Sequence, residues 1–110
     1  MKNHISLTTA QDLLQKSGKE FAVLFEHGTL SVELYKPDKA DKQTPHTRDE
    51  VYIIATGNGQ FNLNGEITTV TTGDFLFVPA YQPHHFFDFS EDFSAWVLFY
   101  GVEGGESNLI

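Results

Sequence analysis

The chain of 110 residues contains no cysteine. Disulfides, thiolate metal ligands and a cysteine nucleophile are therefore excluded. Arg, Trp and Met occur once each. Basic residues as a group are scarce: seven Lys and Arg stand against fifteen Asp and Glu, a net charge of −8. A field of that sign repels phosphate backbones, which argues against a nucleic-acid partner. No apolar run approaches the ~20 residues of a membrane helix. The start, Met1-Lys2-Asn3-His4, leads into no signal-peptide core. The expectation is an acidic, cytoplasmic single domain with no membrane partner. Its 40% hydrophobic content is enough for a packed core rather than disorder.

What is present reads mostly as strand. One short helix is expected near residues 8 to 17. Thr8 would cap it, with Gln11 as the capping-box partner. Leu7, Leu13 and Leu14 supply its apolar stripe, and Gly18 stops it. Apolar or alternating segments then follow at 21–25, 30–34, 51–55, 60–63, 66–72, 75–78, 86–89 and 93–100. Asn64-Gly65 is the strongest hairpin signal among them. Short strands with turns at this spacing predict an all-β sandwich or barrel. The organisation expected is an N-terminal segment over residues 1–20, a β-barrel over 21–101 and a tail over 102–110. The tail should be loose unless it pairs with something. Phe75 to Val78 and Trp96 to Tyr100 are apolar on both faces. Their outer faces need a cover, either the helix or a second subunit, and a homodimer is expected.

Of five histidines, His4 and His27 fall in a terminus and a turn, where solvation is the plain reading. His46, Glu50 and His84 differ. Even spacing puts His46, Glu50, Tyr52 and Ile54 on one face of an extended chain, and His84, Phe86 and Asp88 on another. Two imidazoles and a carboxylate on converging strands form the open facial site used by non-haem iron, and they suit a catalytic zinc equally. The plainer alternative is two histidines hydrogen-bonded to Glu50 with no ion.

The frame around these residues is more specific. From His46 to Gly57 the chain reads His-x-x-x-Glu-x-x-x-x-x-x-Gly, and from Gly73 to His84 it reads Gly-x-x-x-x-x-Pro-x-x-x-x-His. Both stretches resemble the two conserved-barrel motifs of the cupin family, over roughly residues 30 to 100. The resemblance implies a double-stranded β-helix, or jelly roll, with a metal-capable pocket in the barrel mouth. The family's ligand positions fall on His46, Glu50 and His84, and the implied cofactor is a divalent ion such as iron, zinc, manganese or nickel. Three positions depart from the pattern: Thr44 stands where a further His is usual, Tyr81 where Gly is usual, and Asp88 where Asn is usual. Gln43 is long enough to replace the missing ligand through its amide oxygen. Thr44, Arg48, Tyr52, Phe86, Asp88 and Trp96 are expected to line the pocket around the ion. Arg48 could instead pair with Asp49.

Two functions follow from this reading. One is a metal-dependent enzyme acting on a small organic molecule, such as a dioxygenase or isomerase. The other is a non-catalytic, metal-free protein that binds or senses a small molecule. A sugar-nucleotide epimerase of the same fold would want more pocket cations than Arg48. An oxalate-decarboxylase-like role would want the full four-ligand set.

Overall fold

The structure, a computed structural model, describes residues 3–107. Ser6 starts the helix α1 (Leu7–Ser17), two residues before the expected Thr8. The Ser6 hydroxyl accepts from the Thr9 N–H at 3.1 Å, which satisfies one orphan donor of the first turn. Gly18 ends the helix in the left-handed conformation, as expected. Eight strands follow: β1 (Phe21–His27), β2 (Leu30–Tyr35), β3 (Asp49–Thr56), β4 (Asn58–Leu63), β5 (Glu66–Thr71), β6 (Phe75–Val78), β7 (His84–Phe87) and β8 (Ser94–Tyr100). Asn64 and Gly65 both have positive φ, which makes the tight β4–β5 hairpin.

The strands form two antiparallel sheets, β1-β2-β8-β3-β6 and β5-β4-β7. The core lies between them. Tyr52, Ile54, Val78 and Val97 face inward from the larger sheet, and Phe61, Val70 and Phe86 from the smaller one. Gly57 and Gly59 let the β3–β4 corner pass close beneath the segment after β7. A side chain at Gly59 would sit 2.8 Å from the Phe89 Cβ. A second, smaller core lies on the outer face of the larger sheet. There Ala10 and Leu14 of α1 pack against Leu34, with Ala22, Leu24, Ala55 and Trp96 around them.

Strand register assigns each side chain to one of these cores. Ala95 and Val97 point inward, so Trp96 between them points outward, against α1. Trp96 therefore does not line the barrel interior, contrary to expectation. In β2 the apolar residue Leu34 also faces α1, while Ser31 and Glu33 share the inner face. Glu33 pairs with Val97 and Val97 with Tyr52; Ser31 pairs with Phe99 and Phe99 with Glu50. The larger sheet is two strands wider than the smaller, so the inner face of β1 is uncovered. Phe21 and Val23, paired with Tyr35 and Glu33, are 44% and 49% exposed.

The segment after β8 is tied down. Gly101 N–H donates to the Thr29 hydroxyl, Gly104 N–H to the Thr47 carbonyl, and Glu106 N–H to the Asp49 carboxylate at 2.8 Å. The last part of the expected tail, 108–110, lies outside the described residues.

Candidate metal centre

The three motif residues meet although they come from both sheets. His46 sits in the loop before β3, Glu50 is the second residue of β3, and His84 opens β7. One ligand atom from each lies within 4.8 Å of the others. The Nε2 atoms of His46 and His84 stand 2.5 and 3.1 Å from the same oxygen, Glu50 Oε1. The His84 contact lacks hydrogen-bond alignment, and His84 Nε2 and Glu50 Oε2 are both buried without a hydrogen-bond partner. Glu50 is fully buried and His84 nearly so.

The far side of each ring explains the arrangement. His46 Nδ1 lies 2.8 Å from the Arg48 carbonyl, and His84 Nδ1 lies 2.9 Å from the Gln82 carbonyl. A carbonyl only accepts, so each Nδ1 carries a proton and donates it. In the neutral ring each Nε2 is then a bare lone pair facing a carboxylate oxygen. Two lone pairs and a carboxylate cannot share a dry space unless a proton or a cation lies among them. The electrostatics carry the same tension. Burial alone would raise the Glu50 pKa, but the two histidines more than offset it and hold it below the ordinary value. Burial alone would lower the His84 pKa, but Glu50 and the Gln82 carbonyl hold it above the ordinary value. Ring packing fixes the set: His46 meets His84 and Phe99 edge-on, each at 4.9 Å between centroids.

The other expected residues divide sharply. Tyr52 and Phe86 face the interior beside the cluster, 4.9 Å apart edge-on. The Tyr52 hydroxyl donates to the Gln43 amide oxygen at 2.8 Å, which engages the atom expected as a fourth ligand. Burial and the Glu50 charge hold the Tyr52 phenol well above its ordinary pKa. Thr44 is exposed. Arg48 is half-buried, donates to the Thr29 carbonyl and lies 5.9 Å over the Phe99 ring rather than pairing with Asp49. Asp88 is exposed because β7 ends at Phe87 and Asp88 turns left-handed, at φ 48°. Its side chain leaves the face shared by His84 and Phe86, so the expected lining role of Asp88 is corrected. Tyr81, in the position where the resemblance placed Gly, also has positive φ, 69°.

The roles of three acids escaped the sequence reading. Asp41 accepts from the Tyr35 hydroxyl, from Gln43 N–H and Nε2, and from Phe86 N–H, so it latches the 36–48 loop to the edge of β7. Asp49, beside Glu50 but on the opposite face, accepts from Ala80 N–H at 3.0 Å and from Glu106 N–H. Glu33 faces the barrel, although the β2 alternation marks it as a polar, outward position.

Comparison with known proteins agrees with this architecture. The family model described as a cupin domain matches residues 31–100. An uncharacterised protein of Streptomyces coelicolor is 39% identical over 72 residues, covering 64% of this chain and 69% of that one. Among solved structures, a cupin 2 conserved barrel domain protein from Rhodopseudomonas palustris superposes with a TM-score of 0.65 at 19% identity, covering 76% of this chain and 61% of that one. KdgF from Halomonas sp. superposes with a TM-score of 0.64 at 21% identity, covering 76% and 78%. An RmlC-like cupin from Shewanella frigidimarina gives 0.63 at 20% identity, covering 74% and 75%. With two antiparallel sheets behind a single N-terminal helix, and the family match spanning β2 to β8, the chain belongs to the cupin family.

Proposed function

We propose that this cupin holds one divalent metal ion through His46, Glu50 and His84 and acts on a small organic molecule there. One observation carries the reading: both imidazoles are pinned by backbone carbonyls so that their Nε2 lone pairs point at a buried carboxylate with an unpartnered oxygen. Two imidazole nitrogens and one carboxylate are a donor set for iron, zinc, manganese or nickel, with positions left for a ligand. A bound ion supplies Lewis acidity, polarising an oxygen of the molecule it meets. The protein's own groups do the rest. The Arg48 and Gln82 carbonyls fix both ring orientations. Phe99, Tyr52 and Phe86 limit water around the cluster. His46, the least buried of the three, marks the open side. A dioxygenase or isomerase is the enzyme class this set serves.

A second reading has its own support. The 2.5 Å contact between His46 and Glu50 can be closed by one proton, without an ion. The chain would then be a metal-free, non-catalytic small-molecule binder.

Metal analysis of protein purified without chelator or His-tag separates the two. About one equivalent of a transition metal is expected, and none in His84→Ala. Metal-free wild-type protein that takes up no ion on titration would overturn the first reading.

A homodimer belongs to the same proposal. On the outer face of the larger sheet, Val51, Ile53, Phe75, Phe77 and Leu98 form a contiguous apolar patch beyond the reach of α1, with Phe75 62% exposed. A second copy is its proposed cover.

A further inference from the structure

Glu33 is a half-buried carboxylate on the inner face of the barrel. Among the described residues it has no hydrogen-bond or ion-pair partner. Arg48 is committed to the Thr29 carbonyl and the Phe99 ring, and Lys19 lies over the Phe21 ring. Burial, and then the charges of Glu50 and Glu26, hold its pKa above the ordinary value. An acid so placed is unfavourable for the fold by itself. Its surroundings are suited to a ligand. Val23 pairs directly with Glu33 and stays 49% exposed, and Phe21 lies one step along the same face. On the other side, the inner face runs through Phe99 to Glu50.

We propose that the uncovered inner face of β1 and β2 is a ligand groove leading to the metal centre, in which Glu33 receives the ammonium group of a small amine-bearing molecule. This rests on the metal reading above. The other end of the molecule, a carboxylate or similar oxygen donor, would meet the ion from the His46 side, the least buried edge of the cluster. Glu33 lies two strands and two residues from Glu50 on one face, about 12 Å between Cα atoms at ordinary strand spacing. Two side chains reach inward across that gap, so the molecule need span only a short aliphatic chain. Val23 and Phe21 supply the apolar wall for that chain. An ammonium group is favoured over a neutral donor because Glu33 is a half-buried carboxylate with no ion-pair partner among the described residues, and Lys19, which lies over the Phe21 ring, makes no ion pair with it. A second copy of the protein is a poor occupant of this face: it would desolvate Glu33 without pairing it.

The test uses Co²⁺-loaded protein and two probes that differ only in the amine, ε-aminocaproate and caproate, measured by calorimetry and by the cobalt absorption bands. Wild-type protein is expected to bind ε-aminocaproate more tightly by roughly tenfold or more, the range of one charge-assisted hydrogen bond. Glu33→Gln is expected to lose that preference while its Co²⁺ affinity stays unchanged, because Glu33 is not a ligand to the ion. Equal binding of the two probes by wild type, binding of neither, or a preference that survives Glu33→Gln overturns the proposal and leaves the metal reading standing. Failure of wild type to take up Co²⁺ overturns the metal reading and this proposal with it. Exchange protection of the Phe21 and Val23 amides in a dimer, lost on dilution, would assign the face to a second copy instead and overturns the groove.

Discussion

Stability against pH, with and without metal, tests the buried cluster most directly. In metal-free protein two groups contribute with opposite signs. The Glu50 pKa is lowered by folding from its ordinary value of 4.5, so its contribution is present above 4.5 and is lost as pH falls through the lower folded value. The His84 pKa is raised by folding from its ordinary value of 6.5. Its contribution is complete below 6.5 and is lost as pH rises through the higher folded value. Metal-free protein is therefore most stable between 4.5 and 6.5 with respect to this cluster. On the alkaline side it should lose up to about 1.4 kcal/mol per pH unit for one displaced proton. An ion needs the same nitrogen without its proton, so metal binding strengthens through that very window. At a free metal concentration about a hundredfold above Kd the gain is about 2.7 kcal/mol. Urea denaturation from about pH 5 to about pH 8, in chelator and in excess Zn²⁺, should give curves that diverge as pH rises. Curves that superimpose at every pH would refute the argument that the two Nε2 lone pairs and Glu50 await a cation.

Other consequences are simpler to read. Tyr81→Gly should raise stability by about 0.5–1 kcal/mol in urea denaturation, since relief of a left-handed non-glycine residue exceeds the entropy that glycine adds to the unfolded chain. A loss of stability would show that the exposed Tyr81 ring matters more than its backbone. Asp41→Ala should cost about 2 kcal/mol, because it strands the Tyr35 hydroxyl and the Phe86 N–H, and it should speed hydrogen exchange at the Phe86 amide. Sedimentation should show a species of twice 12.4 kDa, and Phe75→Lys should convert it to monomer; a wild-type monomer at high concentration would dismiss the outer-face patch as an interface.

The sequence was most informative where a local rule had only one solution. Asn64-Gly65 demanded a hairpin, Gly18 a helix end, and the spacing of His46, Glu50 and His84 within two motifs brought distant strands to one point. It was least informative about which face is inside. β8 is apolar on both faces, so nothing in Ala95-Trp96-Val97 marks Trp96 as the residue turned toward α1. In β2 the alternation is real, but Leu34 serves the helix-side core, which leaves Glu33 on the barrel side. Two cores on one sheet invert the usual inference from hydrophobic to interior. Asp41 was hidden for another reason: its partners Tyr35 and Phe86 belong to strands that only the folded chain places beside the loop. Asp88 failed on a single dihedral angle, which strand parity ignores.

The clamp formed by Asp49 has a bearing on how β3 finds its place. Asp49 and Glu50 are neighbouring acids on opposite faces, and a slip of one residue would exchange them with almost no change in charge or hydropathy. The apolar residues oppose that slip chiefly through Tyr52, which it would turn out of the core and away from Gln43. The backbone amides of Ala80 and Glu106 add to that penalty. They sit where the shorter Asp49 side chain reaches both at once, and with Glu50 turned outward an acid longer by one methylene would stand in its place. Two ordinary hydrogen bonds outside the barrel thus act together with the core packing of Tyr52 and Ile54 to hold the register that delivers Glu50 to the histidines within.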